Sequence, residues 1–538
     1  MSIVRIRALL AAAVVSAAPL APATAADWPQ WGGGQYRNLV SREADLPASF
    51  HPGRKKRDRL GFDPATTKNV RWMVRLGSEN YSCPVVADGR VYIGTNDEDL
   101  DDERFAPTRG GVLMCLDEKT GSLIWRLVVP RLEIDRSKVS EDFDDMNLGV
   151  CSTATVDGDC VYIVTNRCEV VCLDVDGMAN GNDGEFTAEA SFSVPEGAAP
   201  VEPGDRDADI LWRFDMIRDL PVFPHDAANC SVLVVGDHLY VCTANGVYDG
   251  KVVLPTAASL IVLDKRSGKL LARDDGSISA NVFHGQWSSP TLADVKGRKQ
   301  VVFGGGDGLC HGFEPLPAKV AAGEKPAMLR ETWSFDCNPP GYRQRGGEKI
   351  DYWALVRGGP RTLDADGMLV SPNEVIGSPV VVGSRVYVGI GQDPVHGPGR
   401  GALSCIAIDG LGDITKSGRV WQYTGIGRAL STVAVVDGLV YAAEYAGKVH
   451  CLDAATGRLH WVHDTREEIW SSTLVADGKV WIGTRKSLIV LAAGLEKKVL
   501  ADIKLGTPVW SIPCAANKTL FVASQKNLWA VEDQGELP

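Results

Sequence analysis

Basic charge is scarce in this chain. It has 56 lysines and arginines against 68 aspartates and glutamates, a formal net charge of -12 at pH 7. A nucleic-acid binder needs a basic face for the phosphates, so no nucleic-acid partner is expected. Long apolar runs are also missing. Beyond residue 20 no segment holds the roughly 18 uninterrupted apolar residues of a membrane-spanning helix, so no transmembrane segment is expected in the mature chain. The chain has no CxxCH, which excludes covalent c-type haem attachment. It has no GxSxG, no HExxH and no paired-carboxylate arrangement, so hydrolytic readings lack a foothold.

What is present starts with an export signal. Arg5 and Arg7 precede an apolar stretch from Ala8 to Leu20, and Ala23-Thr24-Ala25 supplies a small-residue cleavage pattern. Residues 1–26 thus read as a cleavable signal peptide, residues 27–68 as an N-terminal lead-in segment, and the expected location is periplasmic or secreted. The basic cluster RKKRDR at 54–59 reads as a solvated linker. At 45% hydrophobic and 23% charged, the 538 residues can bury a large core. Thirteen cysteines is an odd number for a disulfide framework. Cys115, Cys172 and Cys451 each stand two residues before an aspartate in a CLD triplet, and Cys310 and Cys405 stand four before Glu314 and Asp409. This shared parity puts them on one face of equivalent strands, as small buried hydrophobes.

CLDEKTGSLIW at 115–125 returns as CLDAATGRLHW at 451–461. Around these words lies a larger unit, whole at 431–461: a Ser/Thr start, an apolar run, an Asp-Gly turn, a second run, a third ending in Asp, and a final Trp. Such units start at residues 82, 151, 230, 288, 377, 431, 471 and 511, and the turn glycines Gly438 and Gly478 show the spacing. A period near 40 residues with short strands and Asp-Gly hairpins marks propeller blades of four antiparallel strands. The expected fold is all-β, a single eight-bladed β-propeller over 69–538. The last unit lacks an outer strand, and NVRWMVRLG at 69–77 has that strand's character, so the N-terminal strand is expected to close the ring and leave no exposed edge. Within each word Asp and Gly make the turn, and Trp125, Trp212, Trp333, Trp421 and Trp461 are expected to bury their rings between blades; Ala272 replaces the tryptophan in one unit. FGGGDGLC at 303–310 joins two strands and reads as a hairpin, not a phosphate loop.

These AxDxxTGxxxW-like words resemble the tryptophan-docking motifs of eight-bladed quinoprotein alcohol dehydrogenase-like propellers, named for pyrroloquinoline quinone (PQQ). The whole, including WPQWGG at 28–33, also resembles the secreted PQQ-like proteins grouped with the outer-membrane assembly lipoprotein BamB. The second resemblance implies a binding or scaffold module that docks an envelope protein or peptide. That lipoprotein has a lipobox cysteine after its signal, whereas the first cysteine here is Cys83, so no lipid anchor is expected. The first resemblance implies the alternative, a PQQ-dependent alcohol or sugar dehydrogenase. Its members combine an adjacent cysteine pair, a tryptophan under the quinone, an arginine at its carbonyls, calcium on Glu and Asn, and an aspartate base. No two cysteines are adjacent here, and no aspartate or calcium set aligns.

Residues just before each unit converge on the mouth of the central channel. The candidate cofactor-binding or ligand-binding residues are therefore His225, Asn229, His284, Trp287, Arg428, Glu468, Trp470 and Trp510, beside Asn80, Tyr81, Asn147, Asn373 and Glu374. For PQQ with calcium, Trp287, Trp470 or Trp510 would stack the ring and Arg428 would polarise a carbonyl. A sugar ligand is a third reading of the same mouth. DVDGMANGNDGE at 174–185 reads as an acidic surface turn, or as a calcium loop using Asp174, Asp176, Asn180, Asn182 and Glu185. GQDPVHGPGRG at 391–401, with His396 and Arg400, is either a binding loop or a rigid connector. Insertions at 131–147, 177–208 and 338–372 are expected at the rim of one face.

Overall fold

The computed structural model describes residues 26–56, 61–320, 325–345, 348–350, 362–363, 369–370 and 373–535. The signal-peptide reading lies outside these residues apart from residue 26, as do residues 57–59 of the basic cluster and much of the 338–372 insertion.

Among the described residues, eight antiparallel sheets of four principal strands surround one axis. Their innermost strands are Val85–Ala87, Thr155–Asp157, Leu233–Val235, Thr291–Val295, Val380–Val382, Ala434–Val436, Leu474–Ala476 and Cys514–Ala516, blades 1 to 8 in chain order. Blades 3 and 4 each gain a short parallel fifth strand. Val70–Arg75 is the outer strand of blade 8, pairing Met73 with Trp529 and Arg75 with Asn527. The ring is closed by the N-terminal strand, and no blade is left with an unpaired edge from an incomplete set.

Three sets of bonds tie blade to blade. The first uses the repeated tryptophans. Trp72, Trp125, Trp212, Trp421 and Trp461 each donate Nε1–H to a carbonyl of the next blade, at Glu118, Val175, Lys265, Ala454 and Gly494, over 2.8–3.1 Å. Trp333 differs: it donates to Gln300 Oε1 of its own blade, and Gln300 passes the link on to the Ile408 carbonyl. Each buried indole removes roughly 150–250 Å² from water, a gross gain of about 4–6 kcal/mol. The turn glycine of one word meets the indole of the preceding blade. A Cβ on Gly457 (φ +72°) would lie 2.6 Å from Trp421, so glycine is required both by its backbone and by the ring against it. The turn aspartates act as read from sequence, Asp117 and Asp453 each accepting two backbone N–H groups and a threonine hydroxyl.

The second set lines the channel and explains the Ser/Thr start of each unit. Ser82 bonds Ser152, Ser152 bonds Cys230, and the Ser231 N–H donates to Ser289. Ser289 then donates to Ser378, Ser378 to Thr432, Ser431 to Ser471 and Ser471 to Ser511; Ile512 N–H to Cys83 Sγ completes the circle. All eight junctions are covered, each bond worth about 1 kcal/mol net.

The third set belongs to residues 28–41, which cross the channel's far end and reach every blade. Trp28 bridges Val86, Pro29 O accepts from Val156, Gln35 bonds Val234 and Leu292, Tyr36 O accepts from Val381, Asn38 bonds Val435, and Ser41 bonds Val475 and Ala515. At the centre Arg37 is fully buried. Its guanidinium donates to the carbonyls of Pro290, Trp31, Ser231 and Val232 and to Gln30 Oε1, at 3.0–3.2 Å. The channel is therefore blind at this end.

All thirteen cysteines are free, and all but Cys160 are buried, in keeping with their role as small core residues. Residues 303–310 join two adjacent strands of blade 4, as read. The insertions do not share one face. That at 131–147 joins an outer strand to the next blade, on the mouth side, and the described start of the third, 338–345, leaves an outer strand in the same way. The insertion at 177–208 instead joins the third and outer strands of blade 2, leaving from the end where Asp174 pairs with Cys160 beside the far-side hairpin. It lies along the outer edge of blade 1, where Asp207 bridges Arg126 and takes Arg104 at 2.7 Å. The connection order decides this: a loop between third and outer strands must start on the face opposite the channel mouth.

Candidate functional site

At the mouth the inner strands begin, and side chains just ahead of them surround a cavity of about 230 Å³. Aromatic walls come from Tyr81 ahead of blade 1, Trp287 ahead of blade 4, Trp470 ahead of blade 7 and Trp510 ahead of blade 8; Trp31 of the plug also lines it. Asp226 and Asp393 are its only charged liners among the described residues.

Of the eight residues named from sequence, Asn229, Trp287, Trp470 and Trp510 line this cavity. His225 and His284 stand behind its wall, their rings edge to face at 4.5 Å. Arg428 and Glu468 are not among the liners. The Arg428 guanidinium lies 4.4 Å over the Tyr445 ring and donates to Gly397 O, while Glu468 meets Arg485 at 3.4 Å. Tyr445 in turn sits edge-on to Trp470 at 5.3 Å, so these residues buttress the wall from behind.

Each histidine has a local reason for its place. Asp226 takes positive φ (56°) after Pro224-His225, its N–H donates to Ser140 Oγ and its carbonyl accepts from Asp144, so the 131–147 insertion fixes it. His225 N–H donates to Ala244 O, and a Cβ on Gly246 would come within 2.5 Å of the His225 Cβ; only glycine lets that loop approach. Trp287 donates to Ala227 O at 3.2 Å and meets the His284 ring at 5.3 Å. The 391–401 excursion delivers Asp393 and His396, the latter's ring 4.8 Å from His284.

The charges in this cluster are strongly coupled. Burial pushes His225 and His396 down to about 4, so both rings are neutral at pH 7. Burial also lowers His284, but bonding to Asp226 and the charges of Glu374, Asp393 and Asp226 outweigh it and raise the imidazole. Burial raises Asp226, yet the two histidines outweigh this and hold it below the usual carboxylate range. Glu374, wholly buried, is pushed up to about 8 by desolvation. The sequence pattern missed Asp226, Asp393 and the pairing of His396 with His284; only the adjacency of Asp226 to His225 hinted at any of this.

The acidic loop is also rearranged. Asp174 groups with Asp183 and Asp209, which the loop reading did not include, because the 177–208 insertion folds back to place Asp209 beside it; Asp174 also accepts from the Asp176 N–H at 2.7 Å.

A family model described as outer membrane protein assembly factor BamB matches residues 412–536, which are blades 6 to 8 with the end of blade 5. The repeat, the blades and this match agree. The chain is an eight-bladed β-propeller whose last blades are similar to that family. No curated protein matches it. Solved structures similar to this propeller include BamB from Moraxella catarrhalis (13% identity, 87% of this chain and 98% of that one, TM-score 0.47). Quinohemoprotein alcohol dehydrogenase from Comamonas testosteroni is similar at 14% identity, over 95% and 81% of the two chains, with TM-score 0.44. A europium-containing methanol dehydrogenase is similar at 12% identity, over 93% and 89%, with TM-score 0.45. Among the described residues no helix is long and apolar enough to cross a membrane.

PQQ itself suits this mouth poorly. It is a tricarboxylate, and the liners of the propeller's cavity offer it two aspartates and no lysine or arginine among the described residues. Arg428, the one cation placed here from sequence, is directed onto Tyr445 and Gly397. The aromatic walls suit a neutral or cationic group instead.

Proposed function

We propose that the chain is an exported binding or scaffold module of the cell envelope, which captures an extended segment of an envelope protein at the channel mouth. The observation that carries this reading is the blind cavity itself: aromatic rings from four blades, a plugged floor and, among the described residues, only acids as charged liners. Such a pocket takes a single anchoring side chain, either aromatic or basic, with the flat faces supplying area and Asp226 and Asp393 the charge complement. The name of the matching family, an assembly factor of the outer membrane, supports a protein partner in the same compartment.

The reading is tested by calorimetric titration of the mature protein with extended peptides carrying Arg, Trp or Ala at one central position. Arg or Trp peptides should bind and Ala peptides should not. Trp470→Ala and Trp510→Ala should each weaken binding by about tenfold or more, the loss of roughly 1.4 kcal/mol of aromatic contact. Stoichiometric uptake of PQQ with calcium, with no peptide binding, would overturn the reading in favour of an oxidoreductase.

A further inference from the structure

We propose that His225, His284 and Asp226 bind one divalent first-row transition-metal ion, with its open coordination side facing the aromatic cavity.

The donor atoms of these three residues lie within 4.8 Å of one another. His225 Nε2 is 3.3 Å from Asp226 Oδ1, and His284 Nε2 is 3.6 Å from Asp226 Oδ2. Histidine-carboxylate hydrogen bonds elsewhere in the same protein run from 2.7 Å at His311–Glu331 to 3.3 Å at His311–Asp307, so the first separation lies at the long end of that range and the second beyond it. Two donors held 2.0–2.2 Å from a shared ion at tetrahedral angles stand about 3.3–3.6 Å apart, the range of the two histidine–Asp226 separations, which are made to different oxygens of the carboxylate.

The hydrogen-bond inventory points the same way. Both ring nitrogens of His225 are buried without a well-formed hydrogen bond, and so is Nε2 of His396. A buried imidazole whose nitrogens have only long or poorly aligned partners, here Asp226 at 3.3 Å and the Val247 backbone, loses part of the roughly 1–3 kcal/mol that a good bond to each group would recover. An ion supplies the missing partner. The chemistry of the set selects its class: two imidazoles and one carboxylate suit zinc, iron, cobalt or nickel, whereas calcium and magnesium want oxygen alone.

The surroundings also fit. The donors are pinned from the main chain, at Asp226 by Ser140 and Asp144 and at His225 by Ala244, so the set is held before any ion arrives. His396, with its ring 4.8 Å from His284, offers a fourth nitrogen, and Asp393 Oδ1, 3.8 Å from His284 Nε2, an outer carboxylate. Asp226 lines the cavity, so an ion on it would present its remaining positions to whatever enters. The site draws on Asp226, which the peptide reading also uses; with the ion bound, Asp393 alone remains as the acidic complement for a basic side chain.

The experiment uses the untagged mature protein, stripped with chelator and then titrated with Zn²⁺ and with Co²⁺ as a spectroscopic probe. One equivalent should bind, and X-ray absorption of the Zn²⁺ form should show histidine nitrogen in the first shell. His225→Gln, His284→Gln and Asp226→Asn should each lower affinity by about 100-fold or more, beyond the 10- to 100-fold that outer partners contribute. The control His51→Ala, at an exposed histidine, should leave it unchanged. Near-ultraviolet dichroism reports whether each variant is folded. If the variants unfold, the absorption spectrum of the wild-type Zn²⁺ form decides alone. An all-oxygen shell, no bound ion, or wild-type affinity in folded His225→Gln and His284→Gln would overturn the site.

Discussion

Arg37→Ala tests the claim that the lead-in segment plugs the channel. The guanidinium has no exposure and makes five hydrogen bonds, four of them to carbonyls of Trp31, Ser231, Val232 and Pro290. No carboxylate is among those partners, and burial holds its pKa down to about 10, so the group sits there against a desolvation cost. Truncation removes that cost but leaves buried carbonyls of three segments without a donor, at about 1–3 kcal/mol each. Water entering the vacated space recovers part of this, and the expected net loss is about 4–6 kcal/mol. With an unfolding entropy near 2.1 cal/mol/K per residue over ~500 residues, about 1 °C of Tm is lost per kcal/mol, so calorimetry should show a fall of roughly 4–6 °C. Arg37→Lys, keeping the charge but with fewer donors, should fall between the two proteins. Limited proteolysis should cut residues 28–41 faster in Arg37→Ala. A melting temperature within about 1 °C of wild type, with unchanged proteolysis, would refute the plug as a structural element.

Gly457→Ala should cost about 2–4 kcal/mol in denaturant unfolding, since its Cβ would meet the Trp421 indole at 2.6 Å with φ at +72°; a loss below 1 kcal/mol would contradict the glycine-on-indole account. Trp461→Phe keeps most of the ring but removes the donor to Gly494 O, and should cost about 1–2 kcal/mol, less than Trp461→Ala at about 3–5 kcal/mol. For His311, burial lowers the imidazole, but Asp307 and Glu331 outweigh this and raise it from 6.5 to about 10. The folded state therefore holds this proton more tightly than the unfolded chain does. The stabilisation is fully present below about pH 6.5 and is lost as pH rises through 10. Unfolding free energies at pH 6, 8 and 10 should decline by a few kcal/mol more in the wild type than in His311→Leu; parallel curves would refute the assignment.

Much of this architecture was legible because it repeats. Asp-Gly hairpins, junction tryptophans and channel hydroxyls recur along the chain, the tryptophan in six of the eight blades with Ala272 and Ala501 in the other two, and the eighth, incomplete copy pointed to Trp72 as its missing partner. The aromatic half of the mouth, Trp287, Trp470 and Trp510, followed from position in the repeat. Arg428 and Glu468 followed from the same rule yet stand behind the wall, because the repeat places a Cα at the mouth without fixing where a long side chain goes.

The sequence by itself determined the blade count, the all-β class and the ring closure, since each depends on short-range patterns that recur along the chain. The tertiary structure alone decided that residues 28–41 seal the far end, that Asp393 and His396 come from blade 5 to meet His284, and that Asp209 joins Asp174. Those contacts join residues up to hundreds of positions apart, and each element makes them once. No periodicity records such a contact; only closing the ring brings the partners together.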